Sequence, residues 1–209
     1  MPHTVAVTGA PFDFLPSDRA SWLSDPTSGR LHVIAHPHSD IFVDPGGDDG
    51  KANSETLLNA ATLLADAPEG DFQLSARVSV KFADTFDAGV LLLWFDEKRW
   101  GKLCFEFAPD RQPMVVSVIN RDVADDANAF VVAGNEVWLR MSRVGRVFAF
   151  HASLDGEHWQ MVRIFVLDSP GAQPRIGFEA QSPMGEGCDV EFNDIEYSTT
   201  SLKDLRDGS

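Results

Sequence analysis

The stretch DFQLSARVSVKF, residues 71–82, alternates apolar and polar side chains without a break. In an extended chain one face would carry only apolar side chains, those of Phe72, Leu74, Ala76, Val78, Val80 and Phe82. The opposite face would carry Gln73, Ser75, Arg77, Ser79 and Lys81. A period of two residues is typical of a β-strand with one buried and one solvated face. We therefore predict a strand here, packed through its apolar face against a second sheet.

Other segments repeat this pattern and are separated by Gly, Pro, Asp and Asn. GVLLLWF (89–95) is apolar on both faces and predicts a central strand, while Asp155-Gly156 predicts the turn of a hairpin. Further strands are predicted at residues 102–108, 113–121, 136–144, 146–155, 175–182 and 188–198. A series of short strands with such punctuation predicts an all-β, antiparallel two-sheet sandwich.

The composition bounds the classes of partner. The chain has 209 residues, 44% of them hydrophobic, which is enough for one domain over residues 1–209 with a core at about 12–198 and short flexible termini. A formal net charge of −15 argues against nucleic acid or an anionic membrane as a partner. No leader or membrane-spanning segment is evident, so we expect a cytoplasmic protein, either a monomer or a homodimer.

Cofactor and metal motifs are weak in this sequence. Cys104 and Cys188 belong to no ligand pattern, so we expect no zinc site, although a disulfide between them stays open. The acidic loop DPGGDDG (44–50) lacks the spacing of an EF-hand, and we expect it to be flexible, with calcium binding left open. We therefore expect no metal and no cofactor.

One acidic cluster is a candidate for glycosidase chemistry. Retaining glycosidases, which keep the anomeric configuration of the sugar, need two carboxyl groups close together. The segment EFNDIE supplies three carboxyl groups, those of Glu191, Asp194 and Glu196. Strict alternation would place Asp194 on the core side with Phe192. We predict instead a β-bulge near residues 193–194, which returns Ile195 to the core and turns the acids to solvent.

Better candidates lie on the polar faces of later strands. If these strands are neighbours in one concave sheet, they line a groove with Glu106, Trp138, Arg140, His151, Glu179 and Gln181, and Asn120 lies at its rim. An aromatic ring stacks on the C–H face of a sugar, and planar polar groups bind its hydroxyls, so the set predicts carbohydrate binding. The alternatives are an ordinary polar face with cross-strand pairs, and a catalytic pair formed by Glu106 and Glu179.

Three segments carry a family resemblance: GDFQLSARVSV (70–80), DAGVLLLWFDEKRW (87–100) and RIGFEAQSPMGEG (175–187). They resemble the uncharacterised concanavalin-A-like family, domain of unknown function 1349, that includes the yeast regulation-of-enolase protein. The resemblance runs from about Trp22 to Tyr197. It implies a two-sheet jelly roll of the concanavalin A-like lectin/glucanase type, usually with a concave front sheet. It implies no reaction.

The resemblance bears on three local interpretations. Residues 53–67 have helical spacing behind Ser54, but the family has a loop followed by a strand there. QSPMGEG (181–187) implies a site-forming loop, which adds Ser182 to the ligand-binding candidates. In HPHSDIFVD (36–44), His36, His38 and Asp40 alternate like metal ligands. The family match covers only SDIF, so we expect no metal and keep Asp40 as a rim residue.

Three functions follow as hypotheses. The first is a binding module that holds a carbohydrate or polyol on its concave sheet. The second is a glycoside-acting enzyme, a hydrolase or a lyase, that uses Glu106 and Glu179. The third is a regulatory protein that binds a metabolic enzyme through its acidic surface, which is implied only by the name of the yeast relative.

Overall fold

A computed structural model describes residues 3–18, 20–46 and 55–209. Within these residues the chain forms seventeen β-strands, β1 to β17 in chain order, and no helix. Two large sheets are entirely antiparallel in the described part of the chain, as the alternating pattern predicts. The predicted all-β, two-sheet jelly-roll sandwich is confirmed.

The first sheet has eight strands among the described residues. Their spatial order is β1 (Val5–Ala6), β2 (Asp13–Pro16), β7 (Ala61–Asp66), β16 (Arg175–Gln181), β9 (Ala88–Asp96), β10 (Arg99–Phe107), β11 (Pro113–Arg121) and β12 (Val123–Val131). The second sheet has seven strands in the same described part. Their order is β15 (Gln160–Phe165), β14 (Val147–Ser153), β13 (Glu136–Val144), β8 (Phe72–Lys81), β17 (Asp189–Ser198), β4 (Arg30–Ile34) and β3 (Leu23–Asp25). A separate ribbon pairs β5 (Ile41–Phe42) with β6 (Leu57–Leu58).

The main core lies between the two large sheets and is rich in phenylalanine. Phe105 and Phe178 extend inward from the eight-stranded sheet and Phe150 and Phe192 from the seven-stranded one, and all four are fully buried. The rings of Phe178 and Phe192 meet across the sandwich with centroids 4.9 Å apart. Strand β9 needs a glycine at its inner position 89, because a Cβ there would lie 2.5 Å from a methyl carbon of Val78. The apolar face of β8 therefore packs as the sequence predicts.

Three local predictions are confirmed. Strand β9 is central, between β16 and β10. The pairing of β17 with β8 shifts register between Asn193 and Glu196, where Asp194 adopts a left-handed φ of 50°, and Ile195 returns to the core. The β14–β15 hairpin turns at Gly156, whose φ is 79°.

At residues 53–67 the spacing allows a helix, whereas the resemblance implies a loop followed by a strand, and the structure confirms the strand. The described part of this segment forms β6 and β7, and Ser54 lies outside the described residues. Leu64 occupies the outer face of the eight-stranded sheet, whereas Leu63 faces the core, so the segment is buried on both sides. A strand buried on both sides has no two-residue pattern, which is why a short apolar run looks helical.

Both large sheets are covered on their outer faces. The β5–β6 ribbon covers the eight-stranded sheet, where Ile41 packs in a second apolar cluster with Val90, Leu92 and Cys104. Residues 199–209 cover the seven-stranded sheet, and Leu202 is buried there. Within the described residues, no helix is long and apolar enough to span a membrane.

Candidate functional site

A cavity of about 530 Å³ opens on the outer face of the eight-stranded sheet. Its floor is formed by β10, β11 and β16, and its walls by the β5–β6 ribbon and the loops around residues 86 and 183. Polar lining comes from Asp40, Glu55, Lys102, Glu106, Asp126 and Gln181. Apolar lining comes from Phe42, Pro45, Leu57, Phe86, Val118, Pro183 and Met184.

Lys102 is the central charge of the cavity floor. Its side chain is only 2% exposed, and its Nζ donates hydrogen bonds to Oδ1 of Asp40 and Oε1 of Gln181, both at 2.8 Å. Burial by itself would lower the pKa of Lys102, but the attraction of neighbouring acidic groups, of which the Asp40 carboxylate is the strongest, outweighs that effect and raises it. The ammonium therefore stays charged and fixes the positions of Asp40 and Gln181.

Glu179 lies beside this ammonium and is fully buried. Its Oε1 is 3.9 Å from Nζ of Lys102, and neither carboxyl oxygen has a hydrogen-bond partner among the described residues. Burial raises its pKa to about 8, the attraction of Lys102 notwithstanding. Because a protonated carboxyl is the cheaper form in such a place, Glu179 carries a proton at neutral pH.

Glu106 also lies on the floor of the cavity. It lies four residues after Lys102 on β10, so both side chains extend from the same face of the strand. It is half-buried, and burial raises its pKa to about 8, with a further contribution from the Asp126 carboxylate. Partial loss of solvent at the cavity edge also raises the pKa of Asp126, an exposed residue on the edge strand β12. The floor therefore presents, in Glu106, a carboxyl group that is mostly protonated near neutral pH.

Hydrogen bonds of the Gln181 side-chain amide join the floor of the cavity to its rim. Gln181 accepts from Lys102 and donates from Nε2 to the backbone oxygen of Phe86 at 3.1 Å. Phe86 adopts a left-handed φ of 67°, which a non-glycine residue adopts at a cost, and its side chain is 36% exposed. Because the bond from Gln181 holds this strained loop at the cavity, Phe86 presents its ring to the opening.

The expectation that five polar residues and Trp138 line one groove is wrong in its geometry. Glu106, Glu179 and Gln181 lie on the eight-stranded sheet, but Trp138, Arg140 and His151 lie on the outer face of the seven-stranded sheet. The cause is strand pairing: β13 lies between β8 and β14 and does not pair with β10. The two sets of residues are therefore on opposite outer faces of the sandwich.

The residues of the seven-stranded sheet contact the chain itself. Arg140 donates to the carbonyl oxygen of Gly208 at 2.7 Å and stacks over the ring of Trp159, with 4.2 Å to the centroid. A ring nitrogen of His151 is 2.8 Å from the carbonyl oxygen of Leu205. Burial lowers the pKa of both Arg140, to about 10, and His151. Residues 199–209, expected to be flexible, thus cover this face.

Trp138, Asn120 and Ser182 also lie away from the cavity lining. Trp138 is half-buried, with the guanidinium of Arg77 5.5 Å from its ring centroid. Asn120 is fully buried and donates to the backbone oxygen of Lys98. Ser182 is buried too, and its Oγ donates to Asp87 at 2.6 Å, which anchors the loop after β16. Their contacts are structural in this arrangement.

Sequence reasoning missed Lys102 and Asp126 and placed Asp40 only at a rim. Lys102 lies on the outward face of β10 with Glu106, and a lysine on a polar strand face is usually solvated, so its type and position give no sign of a site. The signal that could have identified it is the pair Lys102 and Glu106 on a strand whose outer face also carries Trp100 and Cys104. Such a face is too apolar to be fully exposed.

The suggested metal ligands do not converge. Asp40 bonds Lys102, while His38 lies beside Glu186 and the oxygen of Pro183. In the described ranges, no group of three or more His, Cys, Asp or Glu side chains is arranged to hold a metal ion. For the 44–50 loop, Asp44 accepts a bond from the Gly46 amide, and positions 48 and 49 lie outside the described residues. Both cysteines are buried and free.

Comparisons with known proteins agree with this architecture. A family model described as "Protein of unknown function (DUF1349)" matches residues 19–200. A functionally unknown protein from Saccharomyces cerevisiae has a similar structure, with a TM-score of 0.72 and 19% identity over 88% of this chain and 98% of that chain. A comparison with curated protein sequences gives no match.

Two bacterial enzymes also contain a similar structure. The GH43 BlXynB protein from Bacillus licheniformis has a TM-score of 0.69 and 13% identity over 90% of this chain and 36% of that one. A xylan beta-1,4-xylosidase from Bacillus halodurans C-125 has a TM-score of 0.65 and 11% identity, over 81% and 33%. This chain therefore spans about a third of the length of either enzyme, and at such low identity the likeness is one of fold alone.

Proposed function

This chain belongs to DUF1349, a family of proteins of unknown function, and we propose that its outer cavity binds a carbohydrate or a related polyol. The observation that carries this proposal is the fixed Asp40–Lys102–Gln181 network, which lies at the base of a cavity of about 530 Å³. Ligand pockets of a few hundred cubic ångströms with a few oriented polar groups are the usual form of small-molecule sites.

The polar groups suit hydroxyl ligands. An ammonium has three N–H donors. Lys102 donates two of them to Asp40 and Gln181, so the third is able to bind a ligand oxygen. Glu106, with its pKa near 8, is able both to donate and to accept at neutral pH. A sugar hydroxyl also both donates and accepts a hydrogen bond. The cavity can therefore bind the hydroxyls of a ligand that carries no charge.

The apolar side of the cavity suits the C–H face of a sugar ring. Phe42 and Phe86 both line it, and Phe86 is exposed enough to be contacted by a ligand. Aromatic rings provide a large apolar contact of fixed shape, which favours a flat C–H surface. The similar structures within two glycoside hydrolases add a link to saccharides at the level of fold.

Titration calorimetry with a panel of mono- and oligosaccharides tests the proposal. We expect Phe42→Ala to weaken binding by about five- to tenfold, since one aromatic contact contributes roughly 1–1.4 kcal/mol. Trp138→Ala is the matched control, because it removes an aromatic ring from the opposite face. A panel that shows no binding at millimolar concentration, or equal losses in the two variants, contradicts the proposal.

A glycoside-acting enzyme is the alternative, and the raised pKa of Glu106 favours it. A carboxyl group with a pKa near 8 is a competent proton donor at neutral pH. Glu179, the other member of the expected pair, is fully buried and does not line the cavity, so Glu106 would need another carboxylate there, such as Asp126. Turnover of aryl glycosides that survives unchanged in Glu106→Gln would exclude this alternative.

The hypothesis of a regulatory protein that binds a metabolic enzyme through its acidic surface stays a prediction, implied only by the name of the yeast relative. It expects a partner whose capture from a lysate weakens as salt is added, because screening removes the attraction between opposite charges.

A further inference from the structure

A second cleft, of about 280 Å³, lies at the other end of the strands that carry the cavity. Phe95 near the end of β9, Arg143 near the end of β13, and Arg146 and Phe148 around the β13–β14 turn form its walls. Residues 166–174, which lead into β16, close the remaining side. Gln181 lies at the opposite end of β16, so the two openings are far apart on the molecule.

The two arginines of this cleft have few partners. Arg143 donates from Nε to the carbonyl oxygen of Gly145 at 3.0 Å, and its guanidinium lies 5.9 Å from the ring centroid of Phe148. Among the described residues, no ion pair within 4.0 Å engages Arg143 or Arg146. The terminal nitrogens of both guanidinium groups thus have no carboxylate acceptor in the part of the chain that the structure describes.

Nearby acids do not neutralise the cleft. Asp168 lines it, but this exposed carboxylate acts on Arg99, whose pKa it helps to raise after the larger effect of Asp122. Asp71 accepts a hydrogen bond from the backbone amide of Gly145, which lowers the pKa of its carboxyl group. The attraction of Arg143 is the smallest of the influences that lower this pKa. Two guanidinium groups and one carboxylate line the cleft, which therefore carries a net positive charge.

A cationic cleft is unusual on this chain. The sequence has 32 acidic and 17 basic residues, and four arginines elsewhere, Arg30, Arg77, Arg99 and Arg163, form ion pairs. Other described arginines, such as Arg111 and Arg175, also lack an ion pair, so the distinctive feature here is that two such guanidinium groups line one cleft. Two arginines that line one cleft, neither of them within 4.0 Å of a carboxylate among the described residues, are arranged for an anion supplied from outside.

We propose that this cleft binds a small organic anion. Its phosphate or carboxylate group is held between the guanidinium groups of Arg143 and Arg146, and its apolar part lies against Phe95 and Phe148. Guanidinium groups bind both headgroups through paired N–H donors, and the partly exposed ring of Phe95 supplies an apolar surface beside them. This site is independent of the proposed carbohydrate cavity.

Four probes separate the two halves of the proposal: phenyl phosphate, benzoate, inorganic phosphate and phenol. Titration calorimetry on the full chain should show that phenyl phosphate or benzoate binds, more tightly than inorganic phosphate, and that phenol does not bind. The stronger of the two aromatic anions identifies the headgroup. Arg143→Gln and Arg146→Gln should each weaken that binding by about tenfold, since each removes a charge-assisted hydrogen-bond donor.

Arg111→Gln is the matched control, because Arg111 also stacks on a phenylalanine, Phe107, at 5.1 Å but lines neither opening. It should leave binding unchanged. Thermal unfolding of each variant establishes that the fold is intact, and both cleft arginines are accessible enough for Gln to replace them. The proposal is overturned if no anion binds, if the cleft variants bind like the wild type, or if Arg111→Gln weakens binding equally.

Discussion

Replacement of Asp40 by Asn would leave the buried ammonium of Lys102 without its nearest countercharge. The Lys102 side chain is 2% exposed and that of Asp40 is 14% exposed, so water does little to replace the lost carboxylate. Loss of one partner of a buried ion pair generally costs about 3–5 kcal/mol of folding free energy, because the other charge stays desolvated. That range is the upper bound for Asp40→Asn.

Glu179 reduces this loss because it is able to ionise and take over the pairing. Its Oε1 is already 3.9 Å from Nζ of Lys102, and its pKa near 8 is raised in part by Asp40 itself. Ionisation at about pH 7 of a group with a pKa one unit higher costs about 1.4 kcal/mol. We therefore expect Asp40→Asn to lower the free energy of unfolding by about 2 kcal/mol near neutral pH.

The loss should depend on pH in a defined direction. Above about pH 8 Glu179 is ionised in the wild type too, so the buried site then holds two carboxylates for one ammonium. Removal of Asp40 relieves that excess, and the loss should shrink to about 1 kcal/mol or less near pH 9. Urea unfolding followed by tryptophan fluorescence at the two pH values measures both quantities.

Two variants serve as controls. Glu191→Gln breaks an exposed pair with Arg30 at 3.3 Å, and should cost about 0.5 kcal/mol or less at either pH. The double variant of Asp40→Asn and Lys102→Met removes both charges and should be more stable than Asp40→Asn alone. A loss in Asp40→Asn no larger than in Glu191→Gln, or identical losses near pH 7 and pH 9, would refute the reasoning.

Three further predictions concern stability. Glu179 has a higher pKa in the folded state than in the unfolded state, so its contribution to the free energy of unfolding is full below about pH 4.5 and disappears as the pH rises towards 8. Glu179→Gln should therefore flatten the decline of the unfolding free energy with pH in urea unfolding, and an unchanged decline would contradict this. Gly177→Ala should destabilise the fold by about 2 kcal/mol or more, because its Cβ would lie 2.1 Å from the carbonyl oxygen of Leu63; chemical denaturation that matches the wild type would contradict this. Arg140→Met should change the unfolding free energy by about 1 kcal/mol or less, because Arg140 is buried with a backbone carbonyl as acceptor and not a carboxylate; a loss above about 3 kcal/mol would contradict it.

The bulge in β17 shows that the sequence pattern predicts even an irregularity within a strand. Ile195 can return to the core only if the alternation slips near Asn193, and the cost of burying Asp194 made that slip predictable from the sequence. The same kind of reasoning identified β8 and β9 and the sandwich they belong to. The decisive terms, apolar burial and the period of two, depend on neighbours along the chain.

The site depended on distant partners instead. Gln181 pairs in register with Ala88, and Ala88 pairs with Glu106, so three separate strands bring these side chains to one face. Nothing in the period of β13 distinguishes pairing with β8 from pairing with β10, so Trp138 was assigned to the wrong sheet. Strand order is decided by the packing of the whole core and not by any single segment.

The sequence by itself determined that the chain is an acidic two-sheet antiparallel sandwich, because alternation, turn residues and charge are local properties. It also determined which face of each regular strand is polar. Only the tertiary structure decided that Lys102 is buried, because the β5–β6 ribbon packs over the sheet and removes water from a face that would otherwise be solvated. Burial converts an ordinary surface lysine into a fixed charge, and that conversion has no signature along the chain.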